Sequence, residues 1–171
     1  MPGNIFLVGP MGAGKTTVGR QLAKTLGMEF YDCDREIENR TGVNIPTIFD
    51  IEGEQGFRIR EHNMIDELTN MENIILATGG GAILNEENRR NLTTRGYVIY
   101  LKASIDQLLK RTAKDSNRPL LQTQDPKGKL LELMTIRDPF YREVADLIVE
   151  TDGNSVHQVV KVIIRKMKRK Q

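Results

Sequence analysis

Cysteine occurs once, at Cys33, tryptophan not at all, and histidine only at His62 and His157, in a chain of 171 residues. One cysteine permits no intramolecular disulfide and no multi-cysteine metal cluster, and the two histidines lie far apart. So few soft ligands disfavour transition-metal chemistry and leave carboxylates, basic side chains, hydroxyls and backbone to carry any reaction. Long apolar runs are also missing. No stretch approaches the roughly 18 residues of a membrane span, and the N-terminus enters Asn4-Ile5-Phe6-Leu7-Val8-Gly9 without a basic-then-apolar leader. A cytoplasmic protein with no membrane partner is expected. Nor is one sign of charge in excess: 25 Lys+Arg face 23 Asp+Glu, a formal net charge of +2. Arg165, Lys166, Lys168, Arg169 and Lys170 crowd the C-terminus. Cations there suit the negative end of a helix, and no aromatics interleave them, so no nucleic-acid partner is expected.

The residues that are present suit a globular protein, with 39% hydrophobic and 28% charged. The length predicts one domain over residues 1–171. Short apolar runs at Ile5–Val8, Ile74–Ala77, Val98–Leu101 and Leu147–Val149 read as buried strands, with a shorter one at Glu29–Tyr31. Helical patterns lie between them: Thr17–Leu26 stopped by Gly27, Glu54–Leu68, Glu86–Arg95 stopped by Gly96, and Ile105–Thr112, for which Ser104 and Gln107 form a capping-box pattern. In the last helix Val156, Val159, Val160, Ile163, Ile164 and Met167 share one face, which should pack on the sheet. Such alternation predicts an α/β fold with a parallel sheet covered by helices on both faces and ligands at the strands' carboxyl ends.

Directly after the first strand, Gly9-Pro10-Met11-Gly12-Ala13-Gly14-Lys15-Thr16 matches the phosphate-loop pattern G-x-x-x-x-G-K-[ST]. Its glycines allow a nest of inward amides, reinforced by the positive end of the helix that follows. Lys15 would reach the outer phosphates and the Thr16 hydroxyl would ligate Mg²⁺. There is no Asn-Lys-x-Asp, and the Asp50-Ile51-Glu52-Gly53 match to a GTPase switch follows a helical-looking Pro46–Phe49, so ATP is favoured over GTP.

Phosphoryl transfer needs positioning and charge neutralisation, so acceptor clamps are the residues to seek. Asp32-Cys33-Asp34 closes the second strand, where alternation would turn both carboxylates to one side; Asp34 could instead simply cap the next helix. Arg58 and Glu61 share a helix face next to Phe57, as a substrate clamp or a plain surface ion pair. Arg137 sits in Arg137-Asp138-Pro139-Phe140-Tyr141, read as a proline-broken helix junction. Two arginines aimed at one point suit a carboxylate or phosphate. Gly79-Gly80-Gly81 after the third strand suggests close approach to backbone. Arg118, in the polar segment Ala113–Asp125, is either a closing arginine or an exposed one without a task.

Taken together, the phosphate loop, Asp32-x-Asp34, Phe57-Arg58 with Glu61, Thr78-Gly79-Gly80-Gly81, Arg118-Pro119-Leu120-Leu121 and Arg137-x-Pro139-x-Tyr141, in this order and spacing, resemble shikimate kinase. The resemblance runs from Asn4 to the final helix. It implies a three-layer P-loop NTPase fold of the nucleoside monophosphate kinase type with a five-stranded parallel sheet. It also implies ATP-dependent phosphorylation of the 3-hydroxyl of shikimate, a step of chorismate and aromatic amino-acid synthesis. By that resemblance Lys15, Asp34 and Arg118 are catalytic; Asp34, Arg58, Gly79, Gly80, Gly81 and Arg137 hold shikimate; Gly12, Ala13, Gly14, Lys15, Thr16, Thr17, Arg111, Arg118 and Asn154 bind ATP. Thr16 and, through water, Asp32 serve Mg²⁺. An acceptor-binding segment at about 33–61, a lid at about 113–124 and a monomer are implied as well. Phe140 stands where leucine is more usual. A kinase of another small acceptor, or an ATP-binding regulator without catalysis, is the alternative; the Arg58/Arg137 pair with Asp34 argues against the first, and Lys15, Thr16 and Arg118 together against the second.

Overall fold

The computed structural model describes residues 3–113, 121 and 123–169. The apolar runs become strands: β1 (Ile5–Val8) and β3 (Ile74–Ala77) are buried at every position, and β2 (Glu29–Asp32), β4 (Tyr97–Lys102) and β5 (Leu147–Glu150) complete the sheet. All pairings are parallel, in the order β2-β3-β1-β4-β5. Strand β1 is central, with Ile5 opposite Ile75 on one side and Tyr97 on the other.

Strand alternation sorts the core into two layers. Ile5 and Leu7 turn to one face, where Val18 and Leu22 of α1 (Lys15–Leu26) and Val159, Val160, Ile163 and Met167 of α7 (Val156–Arg169) cover them. Phe6 and Val8 turn to the other, beneath α2 (Cys33–Thr41), α3 (Ile45–Thr69) and α4 (Glu86–Arg95). Helix α5 (Ile105–Thr112) adds Leu108 to the first layer. Helix α6 (Pro126–Val144) serves both, through Leu130 and Leu133 on one side and Tyr141 and Val144 on the other. The result is the three-layer α/β architecture that the alternation predicts. Among the described residues no helix is long and apolar enough to cross a membrane.

Four local expectations need correction. Strand β2 ends at Asp32, so Asp32 and Asp34 do not alternate along one strand; Asp32 caps α2, accepting from the Arg35 amide, and Asp34 stands in the first turn. Helix α3 begins at Ile45 and passes through a non-helical residue, Gly53 (φ 74°, ψ 176°), so the expected Glu54–Leu68 helix is its longer arm. Helix α6 does not break at Pro139. The carbonyl that this proline leaves without its amide belongs to Thr135, which is exposed, as Pro139 is, so solvent can satisfy it. Of the Ser104–Gln107 capping box only half forms: Ser104 accepts from the Gln107 amide at 3.2 Å, whereas the Gln107 side chain turns to Arg111.

The chain passes from α4 into β4 at Gly96, whose backbone is extended and open to any residue. A β-carbon there would lie 2.5 Å from Cε2 of Phe6, which is fully buried between the layers. Gly96→Ala should therefore destabilise the fold by about 1–3 kcal/mol through overpacking. A fall in the urea midpoint at unchanged m-value is the expected reading.

Candidate active site

Between β1 and α1 the chain turns through Gly9, Gly12 and Gly14, all at positive φ (145°, 85° and 94°). Space excludes side chains at two of them as well: a β-carbon would lie 2.5 Å from the Leu101 carbonyl oxygen at Gly9 and 2.9 Å from Thr112 Cγ2 at Gly12. Helix α1 opens with Lys15 and has no acidic residue in its first turn, so nothing there offsets its positive end. The buried Lys15 ammonium curls back over the loop, donating to the carbonyls of Gly9 (2.6 Å) and Pro10 (2.8 Å). The Thr16 hydroxyl donates to Asp32 Oδ2 at 2.5 Å. These two oxygens form a hard donor pair beside the loop.

Next to the loop lies a cleft floored by Met11, Lys15, Thr16 and Asp32. Its walls come from four elements: Asp34 from α2, Arg58 and Glu61 from α3, Gly79–Gly81 after β3, and Arg137 from α6. Every acceptor residue expected from the sequence reaches this one space. Phe57 stood in the expected motif and Ile45 and Phe49 fell within the implied segment at about 33–61, but the sequence reading did not assign them the apolar side of the cleft, which they form together. The turn at Gly53 folds the first arm of α3 back so that Phe49 meets Phe57 with ring centroids 5.1 Å apart. Gly53, just before the expected Glu54–Leu68 helix, was the available signal.

The three glycines have a steric explanation. A β-carbon at Gly79 would sit 2.7 Å from Glu61 Oε2 and 2.9 Å from Asp34 Oδ1, and one at Gly81 would fall within the Arg58 guanidinium. At Gly80 the neighbour is Arg137 Nη1 at 3.3 Å, while the Gly80 carbonyl accepts from the Tyr141 hydroxyl at 2.5 Å. Sequence reasoning assigned Tyr141 no task of its own.

Charge is densely packed here. Glu61, only 1% exposed, accepts from Arg58 at 2.9 Å, so the bland surface ion pair is ruled out; Arg58 also reaches Glu54 at 3.2 Å. Burial pushes the Glu61 carboxyl up to about 7 despite the opposing pull of Arg58, and Asp34 adds to the rise. Burial works against the Arg58 charge too, but Glu61 and Glu54 outweigh it and hold Arg58 more firmly protonated. Burial pulls Arg137 below the usual arginine range. Arg137 is 3% exposed, and among the described residues its Nε has no hydrogen-bond partner. Cys33 is buried, and burial first, then Glu61 and the neighbouring aspartates, raises its thiol well above the ordinary value, which matches a small core hydrophobe.

A second cavity opens on the far side of the loop, where Ala13, Gly14, Thr17, Arg111 and Asn154 meet. Arg111 donates to the Gly12 carbonyl at 3.0 Å, and Asn154 Nδ2 to the Asp152 carbonyl at 3.3 Å. Arg118 lies outside the described residues, as does most of the lid expected at 113–124.

A family model for shikimate kinase matches residues 11–168. The chain belongs to the shikimate kinase family. The shikimate kinase of Methylococcus capsulatus is 60% identical over 161 residues, 94% of this chain and 90% of the relative. A solved shikimate kinase from Acinetobacter baumannii in complex with shikimate superposes with a TM-score of 0.97 at 51% identity, covering 99% of this chain and 94% of that one. The shikimate kinase of Aquifex aeolicus follows at a TM-score of 0.83 and 34% identity, with 96% of each chain covered. In this member of the shikimate kinase family, then, a phosphate loop and a doubly arginine-lined cleft stand side by side.

The raised Glu61 carboxyl ties stability to pH. Below about 4.5 the group is protonated folded and unfolded alike; above that the unfolded chain loses its proton first, so folding stability falls as pH climbs from 4.5 towards 7. The Glu61 contribution amounts to about 3 kcal/mol at full extent. Glu61→Gln should remove that slope, leaving a flatter profile of urea midpoint against pH between 4.5 and 7 than the parent shows.

Proposed function

We propose that the chain transfers the γ-phosphoryl group of ATP to the 3-hydroxyl of shikimate, giving shikimate 3-phosphate and ADP, as a monomeric cytoplasmic enzyme of aromatic amino-acid synthesis. Arg137 supports this above all: a guanidinium so deeply buried, with an unpartnered Nε beside the glycine turn, requires an anion, and a compact carboxylate fits between it and Arg58. Shikimate brings one carboxylate for the two arginines and ring hydroxyls for Asp34, and no base that would need stacking. The apolar side of the cleft suits its carbocycle. The backbone of Gly79, Gly80 and Gly81 approaches the ring closely because no side chain intervenes.

On the nucleotide side, Gly12, Ala13, Gly14, Lys15, Thr16 and Thr17 cradle the phosphates, with Arg111 against the adenine and Asn154 at its rim. Thr16 and Asp32 fit Mg²⁺. Among the described residues no group of three or more His, Cys, Asp or Glu forms a metal cage, and Mg²⁺ prefers few protein oxygens together with water and phosphate. When bound it neutralises charge between the β- and γ-phosphates. Thr16 would ligate it directly, and Asp32, already held to Thr16, through water.

In the transfer the bond between the γ-phosphorus and its bridging oxygen breaks as the shikimate 3-oxygen bonds to phosphorus. Lys15 moves from the loop carbonyls to the transferring group, and Arg118, which lies outside the described residues, is assigned the neutralisation of charge on the same group. Asp34 orients the 3-hydroxyl and takes its proton late, since a loose transition state demands little proton removal early.

ADP release measured with Mg·ATP and, in turn, shikimate, quinate, gluconate, AMP and CMP should show turnover with shikimate; its absence there would overturn the assignment. Arg58→Ala should raise the shikimate KM by the equivalent of about 2–5 kcal/mol, because Glu61 loses its partner along with the substrate carboxylate. Lys15→Met should instead lower kcat by ~10²-fold or more, the cost of one charge-stabilising donor. An Arg58→Ala enzyme with unchanged shikimate KM would show the clamp to be misassigned.

A further inference from the structure

Two consecutive residues of α4, neither of which borders the acceptor cleft, connect the glycine turn to both helices that carry its arginines. Asn88 is 1% exposed and donates from Nδ2 to the Ala82 carbonyl at 3.0 Å, in the short 3-10 turn (Ala82–Leu84) that follows Gly81. Its Oδ1 lies 2.8 Å from His62 Nδ1. With Asn88 Nδ2 committed to Ala82, that ring nitrogen must be the donor. His62 follows Glu61 on α3, and its other nitrogen meets Glu87 of α4 at 3.1 Å.

Arg89 does the same towards α6. It donates from Nη1 to the Ile83 carbonyl at 2.8 Å, pairs through Nε with Glu143 at 3.2 Å, and lays its guanidinium over the Phe140 ring with Cζ 4.3 Å from the centroid. Phe140 lies one turn beyond Arg137. The Asn85 side chain caps α4, accepting from the Asn88 amide at 3.0 Å, so the helix start is fixed where both contacts arise.

We propose that Asn88 and Arg89 are positioning residues that set the separation of Arg58 and Arg137, and so the preference of the cleft for an acceptor bearing one compact carboxylate. Asn88 holds α3 against the turn and Arg89 holds α6 against it. The turn is thus a common reference for both guanidinium groups, while the phosphate loop is untouched. Neither contact involves ATP. An error of about 1 Å between two clamping groups costs up to ~10²-fold in rate, which leaves room for a measurable effect.

The proposal rests on the shikimate kinase reading, and the test separates the two. Steady-state rates of the parent, Asn88→Ala, Arg89→Ala, Phe140→Leu and the Arg89→Ala/Phe140→Leu double variant are measured with shikimate and with its methyl ester, which keeps the ring and hydroxyls but loses the charge. Asn88→Ala and Arg89→Ala are expected to raise the shikimate KM about tenfold or more, leave the ATP KM unchanged, and reduce the acid-over-ester ratio of kcat/KM by a similar factor. The double variant should be no worse than Arg89→Ala alone, because both changes remove the same contact. Any variant that does not fold is replaced by Asn88→Asp or Arg89→Lys and read in the same way. A lowered Tm with an unchanged acid-over-ester ratio would show these residues to be structural only and overturn the proposal. No turnover of shikimate by the parent, or no preference for the acid, would instead overturn the reading on which it rests.

Discussion

Asp34, Arg58, Glu61 and Arg137 crowd the carboxyl end of β3, and only a stretch of chain without side chains can share that space with them. Residues 79 to 81 are that stretch, since β-carbons at Gly79 and Gly81 would overlap the Glu61 carboxylate and the Arg58 guanidinium. Buried charge is costly unless it is paired and hydrogen-bonded. A cleft that must hold two guanidinium groups away from bulk water therefore needs carboxylates within reach, a backbone thin enough to admit them all, and helices fixed tightly enough to keep the spacing. The glycine turn meets the second need directly and the third through the 3-10 turn attached to it.

The same arrangement makes the site receptive to an anion. Glu61 answers Arg58, but among the described residues Arg137 has no comparable partner of its own; its aid is the Tyr141 hydroxyl, which burial keeps protonated. An acceptor is therefore in short supply at the Arg137 Nε. A ligand carboxylate supplies it, and the site then gains electrostatic energy that a neutral ligand cannot offer. The Glu61 carboxyl, raised towards neutrality by burial, shows that the surroundings already resist charge that is not matched one to one. Small acids are favoured for this reason, and nucleotide acceptors, with two or more phosphate charges and a base to stack, are poorly served.

Much of this could be read from the sequence because the decisive features are local. A phosphate loop needs glycines at fixed steps after a strand, and continuous apolar runs of four residues already specify buried parallel strands. The acceptor residues could be named because the motifs resemble those of a known family, and the cleft gathers them as that resemblance implies. What stayed illegible depends on how distant parts meet. Whether Arg58 and Glu61 form a surface pair or a buried clamp is the same pattern in sequence; only the packing of α3 against the glycine turn decides it. Phe49 and Ile45 were out of reach because their place depends on the backbone of Gly53, a departure from helix that no hydrophobic period records. Pro139 misled in the opposite sense. Its ring removes one helical hydrogen bond but need not end the helix where the freed carbonyl can reach water, and here the carbonyl belongs to exposed Thr135.

The continuity of α6 matters for more than its outline. With its N-terminal part packed against α5 and its C-terminal part against the second core layer, one element runs from Pro126 through Arg137 to Val144. A break at Pro139 would have let the Phe140–Tyr141 segment settle independently of Arg137. As an unbroken helix it ties the Tyr141 contact with Gly80, the Arg89 contact with Phe140 and the Arg137 guanidinium to one axis. Displacement at any of the three is then shared by the others, because closely packed side chains transmit strain rather than absorb it. The acceptor cleft accordingly takes its walls from the glycine turn and α6, and its floor from the phosphate loop between β1 and α1, against which Gly80 packs.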